Sequence, residues 1–104
     1  MKSQIDKAAL ERYARERDRC LGKVVEELRT NKGLTQNEMA KRANISVLWI
    51  RRLETNQLHT NYTIGRLDQV AQALGVELYD LYARASEMTG AAPWLNRESR
   101  RTDE

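Results

Sequence analysis

Residues 35–54 read TQNEMAKRANISVLWIRRLE, and the fold turns on this stretch. Its spacing predicts two short helices joined by a tight turn. Thr35 stands three residues before Glu38, so the hydroxyl can accept from a backbone N–H while the carboxylate reaches back to another. Met39, Ala40 and Ala43 then share one helical face. Asn44 ends the first helix where a left-handed residue is wanted, and Asn tolerates that conformation better than most. Ile45 tucks inward and Ser46 caps a second helix. Ile50 and Leu53 face one side of it, while Val47, Leu48, Arg51 and Arg52 face the other. Two outward arginines beside two aliphatics, on a protein of pI about 9.2, point to a nucleic acid.

The segment before this unit carries the next clearest pattern. Leu21, Val24, Val25 and Leu28 form an apolar face that stops at Lys32-Gly33. Arg29 falls near that inward face and needs a carboxylate partner, for which Glu54 is the candidate. Residues 1–20 are highly charged, with only Ile5, Leu10 and Tyr13 as an apolar stripe. Pairs such as Glu11 and Arg15 favour a helix, either partly frayed or extending the next element. This extension is either a solvated leader or a dimer contact, and Cys20 is a minor packing residue.

Downstream, residues 55–62 (TNQLHTNY) form a polar loop without Lys or Arg, in which His59 is expected to serve ordinary hydrogen bonding, with a phosphate contact as the second reading and catalysis a distant third. Ile64, Leu67, Val70, Ala71 and Leu74 recur at helical spacing up to Gly75. Leu78, Leu81 and Tyr82 mark a fifth helix to about Ala85. Residues 86–104 read as a tail in which Trp94-Leu95 is an apolar pair. That pair either docks on the domain or a partner subunit, or lies in a disordered segment. The division expected is therefore an N-terminal extension (1–20), a five-helix all-α domain (21–85) and a C-terminal tail (86–104).

Composition agrees with an all-α chain. Among 104 residues there is one Pro and no Phe, and 40% are hydrophobic. Residues 21–55 carry seven basic and four acidic side chains, whereas residues 56–85 carry two and three, so positive charge collects around the two-helix unit. On charge alone, a polyanion-binding face and an ordinary solvated surface both fit. One Cys and one His exclude an intrachain disulfide and argue against structural zinc, so neither metal nor cofactor is expected. Charges at Lys2, Asp6 and Lys7 interrupt any leader, and no apolar run nears the ~20 residues that span a bilayer. A cytoplasmic protein with no membrane contact is expected. No glycine-rich phosphate loop and no carboxylate pair in a catalytic setting is present, which leaves an enzyme as the least supported class.

Three motifs now converge: R-x-x-x-G-L-T-Q-x-E-M-A-x-x-A from Arg29 to Ala43, I-S-x-x-x-I-x-x-L-E from Ile45 to Glu54, and L-x-x-V-A-x-A-L-G-V from Leu67 to Val76. In these the chain resembles the phage-repressor/Cro-like, or XRE, helix-turn-helix family of transcriptional regulators. The resemblance implies a five-helix repressor-like domain that binds double-stranded DNA. It implies phosphate contacts from Gln36 and Ser46, and base contacts from Val47, Leu48 and Arg52, with Arg51 flanking. It also implies a structural ion pair between Arg29 and Glu54. The chain departs from the family pattern at two places. Val47 and Leu48 stand where members often carry Gln, Arg or Ser, and the loop lacks the Lys or Arg placed against the DNA backbone. Asn61 and Tyr62, with Gln57 and Thr60, are the loop's own phosphate candidates.

One recognition helix reads only a few base pairs, so a specific site calls for a twofold homodimer on a near-palindromic operator. Leu78, Tyr79, Tyr82, Met88 and Trp94 are the candidate dimer contacts, against an intramolecular core that claims Leu78 and Leu81. The competing reading is an antitoxin-like or other protein-interaction module, whose partner would bind the apolar triplet Val47-Leu48-Trp49. Trp49 is expected to cover the core near the second helix, with partial exposure toward DNA as the alternative.

Overall fold

The first helix, α1 (Lys7–Asn31), is built from Ala, Leu, Arg and Glu, which lose little side-chain freedom in a helix. Asp6 caps it, accepting from the Ala8 amide at 3.1 Å. Gly33, at φ 73°, turns the chain out of it, with its amide donating to the Thr30 carbonyl at 2.9 Å. The structure, a computed structural model, describes residues 6–58 and 63–95. The charged extension is thus continuous with the helix that follows it. Only the C-terminal part of α1 enters the core, through Cys20, Leu21, Gly22, Val24, Val25 and Arg29. Cys20 is fully buried, a larger part than the minor one expected of it.

Two short helices follow. Helix α2 (Gln36–Ala43) opens on a capping box: the Glu38 amide donates to Thr35 Oγ1 at 3.0 Å, and the Thr35 amide donates to Glu38 Oε1 at 2.8 Å. Asn44 ends it in the left-handed region, at φ 58° and ψ 46°. Helix α3 (Val47–Glu54) starts where Ser46 Oγ accepts from the Trp49 amide at 3.1 Å. Helix α4 (Ile64–Leu74) is capped by Thr63 and closed by Gly75 at φ 74°. Helix α5 (Leu78–Thr89) runs one turn past the Ala85 limit read from the sequence. Ser86, Glu87 and Met88 are exposed, so this turn carries no apolar period, yet nothing between Ser86 and Gly90 breaks a helix. Thr89 Oγ1 donates back to the Ala85 carbonyl at 2.7 Å. A further helical turn begins at residues 93–95. Among the described residues there is no strand.

A single apolar cluster joins the five helices. Leu21 and Val25 of α1, Met39 of α2, Ile50 and Leu53 of α3, Leu67, Val70 and Leu74 of α4, and Leu81 of α5 are all buried in it. Burying side chains of this size contributes about 1.5–3 kcal/mol each. Helix α5 lies along α1, and the chain beyond it returns to α1, where the Trp94 ring meets the Tyr13 ring edge-on at 5.7 Å. The long α1 stretches the molecule to 50 × 25 × 20 Å.

Candidate nucleic-acid interface

The α2–turn–α3 unit is held from behind by three devices. The first is a buried polar network. Arg29 donates from Nε to Glu54 Oε2 at 2.7 Å and from Nη2 to Glu54 Oε1 at 3.0 Å. Its Nη1 donates to the Leu34 carbonyl at 2.7 Å. Gln36 Nε2 donates to the same Glu54 Oε1 at 2.9 Å. The carboxylate thus ties α1, the start of α2 and the end of α3 together. Its hydrogen bonds hold the Arg29 pKa above the ordinary arginine value. Gln36 spends one amide hydrogen here and keeps the second for another acceptor.

The second device is Gly22. A Cβ at this position would collide with the Leu53 carbonyl oxygen, so α1 and α3 approach backbone to backbone. The third is Gln69 of α4, whose Nε2 donates to the Ala43 carbonyl at 3.0 Å and so satisfies the end of α2 at the turn. Neither Gly22 nor Gln69 was singled out from the sequence. An isolated glycine inside a strong helical pattern was the available signal for the first. The second left none, since a mid-helix Gln is an ordinary helix former.

Held this way, α3 buries Ile50, Leu53 and Glu54 and leaves Leu48, Arg51 and Arg52 exposed, with Leu48 at 46%. Val47 is half-buried against the core, so the outward edge is narrower than the four residues read from the sequence. Trp49 is also half-buried against the core, but its ring meets α4: the guanidinium carbon of Arg66 lies 5.7 Å from its centroid. Such a cation–π pair contributes about 0.5–1 kcal/mol at an exposed site. Ser46 is exposed at the start of α3, and Lys41 and Arg42 are exposed on α2. Asn61 and Tyr62, with His59 and Thr60, lie outside the described residues.

The residues expected at a dimer contact lie along α5 and beyond it. Leu78 and Tyr82 are half-buried and pack against the core. Burial pushes the Tyr82 pKa up. Tyr79 is 76% exposed and Met88 46%. Trp94 keeps one side in solvent and sets its other against Tyr13, over whose ring Arg17 lies 5.9 Å from the centroid. Among the described residues, no group of three or more His, Cys, Asp and Glu side chains could hold a metal ion, and no helix is long and apolar enough to cross a membrane.

A short helix with an exposed basic and apolar edge, set by a tight turn against a second short helix, defines a helix-turn-helix DNA-binding domain. The chain belongs to the family described as Helix-turn-helix, which matches residues 25–81 and whose members of this XRE type are transcriptional regulators. Among solved structures, the clp gene regulator ClgR from Corynebacterium glutamicum superposes with a TM-score of 0.64 at 23% identity, covering 83% of this chain and 87% of that one. SinR, solved as a complex with the SinI protein, superposes with a TM-score of 0.59 at 26% identity, covering 79% of this chain and 80% of that one. No curated protein sequence matches significantly.

Proposed function

We propose that the protein is a cytoplasmic, homodimeric transcriptional regulator that reads a near-palindromic operator through the major groove. The observation that carries this reading is α3, rigidly seated by the Arg29–Glu54–Gln36 network while Leu48, Arg51 and Arg52 remain exposed. Arg52 offers a planar fork to guanine O6 and N7, which contributes about 1–3 kcal/mol of discrimination. Leu48 and the exposed part of Val47 pack against a thymine methyl, and Arg51 flanks them. Ser46 and the second amide hydrogen of Gln36 contact phosphates, as do Asn61 and Tyr62. Two copies joined through Tyr79, Met88 and neighbouring Leu78, Tyr82 and Trp94 place two α3 helices about one DNA turn, ~34 Å, apart.

Selection of bound duplexes from a random pool, followed by titration of the selected and a scrambled duplex at two salt concentrations, tests the reading. The selected duplex should bind more tightly, and Arg52→Ala should lose preference at one base position while Gln36→Ala weakens all duplexes alike. Equal affinity of the wild type for both duplexes overturns it. A second reading rests on the exposure of Leu48 beside Val47 and Trp49, and on SinR having been solved bound to a protein. In it the α3 edge docks a protein partner; a stable complex abolished by Val47→Asp, without DNA affinity in the wild type, supports that reading.

A further inference from the structure

The loop between α3 and α4 has no Lys or Arg in residues 55–62, so it brings no full positive charge to the DNA backbone beside the recognition helix. The nearest cation beyond the loop is Arg66, in the first turn of α4. Its position is electrostatically poor, because the positive end of a helix dipole disfavours a cation in the first turn. Its side chain is exposed, and among the described residues it makes no salt bridge. It lies instead over the ring of Trp49, 5.7 Å from the centroid, and Trp49 is a residue of α3 itself.

We infer that Arg66 is a DNA phosphate contact and that Trp49 is the positioning residue that carries it alongside the reading edge. The inference rests on the DNA-binding reading above. An arginine stacked on an aromatic face keeps its N–H edge directed outward, and that edge is what a phosphate accepts from. The ring contact biases the guanidinium toward α3, the helix that enters the groove. In this chain the charge absent from the loop is therefore supplied by the following helix, on a platform provided by the recognition helix. A phosphate contact reads no base directly, so Arg66 adds affinity and register without choosing the sequence.

The test uses the full chain and a random-sequence duplex over a series of salt concentrations. Arg66→Gln should reduce the steepness of log K against log salt by ~0.9, the release of one phosphate's counterion, with the order of preferred sequences unchanged. Trp49→Phe keeps a ring and should keep the slope; Trp49→Leu should lose as much as Arg66→Gln, and the double variant no more. Because Trp49→Leu disturbs a residue packed on the core, a second readout accompanies it. Trp94→Phe, which keeps a ring against Tyr13 and serves as the background once its sedimentation and salt slope match the wild type, leaves Trp49 as the one remaining tryptophan. Its emission should shift on adding duplex, and shift less in the Arg66→Gln background. A wild-type slope in Arg66→Gln, or an unmoved Trp49 emission on bound duplex, overturns the inference while leaving DNA binding intact. A wild type that binds no duplex overturns the DNA-binding reading and this inference together.

Discussion

The carboxylate of Glu54 accepts three hydrogen bonds, two from Arg29 and one from Gln36, at a site where its side chain is 2% exposed. Removing it leaves a guanidinium that is itself mostly buried, with the Leu34 carbonyl as its remaining hydrogen-bond acceptor among the described residues. Glu54→Ala should therefore lower the unfolding free energy by about 3–5 kcal/mol, the range for breaking a buried pair, as read by urea denaturation. Arg29 titrates too far above neutrality for this pair to respond to ordinary alkaline conditions. Its folded pKa is raised, so its contribution is present below the unfolded value and lost only as pH climbs through the folded one. Asp18 has the opposite economy. Burial raises its pKa despite Arg17 at 3.6 Å. The folded state then binds a proton more tightly than the unfolded chain, and stability falls as pH rises through the interval above the ordinary aspartate range. Asp18→Asn should give a small increase in Tm at pH 7 that vanishes in acid below that interval. A variant less stable than wild type at pH 7 would show that Asp18 acts through its ion pair instead.

At the scale of elements, what could be read beforehand was whatever the chain writes locally. Thr35 with Glu38, Ser46, Gly33 and Gly75 mark helix ends by their own conformational chemistry, and the aliphatic faces of α1 and α4 repeat at 3.6 residues. The Arg29–Glu54 pair was within reach too, because an arginine on an apolar face demands a carboxylate. What escaped is pairwise in space. The last turn of α5 buries little, so it has no period to read. Trp49 meeting Arg66, and Gln69 meeting Ala43, depend on how α4 is laid across the α2–α3 unit. The tightest such dependence is the contact of Gly22 with the Leu53 carbonyl, which fixes the separation of α1 and α3. Helix propensity alone favours Gly22→Ala by about 0.8–1 kcal/mol. The collision is with backbone, which cannot swing aside, and overpacking of this kind costs about 1–3 kcal/mol. The variant should therefore be less stable than wild type in a denaturant titration, and α3 should be displaced, so that DNA affinity falls by more than the loss of folded protein explains. A stabilised Gly22→Ala would show that α1 and α3 slide apart freely.

For the whole molecule, the distribution of exposed apolar side chains bears on assembly. Leu48 belongs to the reading edge of α3, whereas Tyr79, Met88, Trp94 and Leu95 are carried by α5 and the chain after it. Trp94 already covers Tyr13 of its own chain, which leaves Tyr79, at 76%, as the most exposed large hydrophobic side chain among the described residues, ahead of Ile64 of α4 at 68%. In a twofold dimer a residue near the axis meets its own copy or that copy's near neighbours. Tyr79→Glu places a carboxylate there in each protomer and sets like charges against one another. The same substitution is harmless within the chain, because Tyr79 stands in the first turn of α5, where the helix dipole favours an acidic group and no core contact is lost. The fold should thus be unchanged by circular dichroism, with Tm lowered only by the lost association, while sedimentation should show a monomer. Affinity for a duplex carrying two half-sites should collapse toward that for a single half-site, since the second recognition helix is then recruited from solution rather than delivered by its partner. A variant that still sediments as a dimer, with the two-site preference intact, would move the interface away from the start of α5.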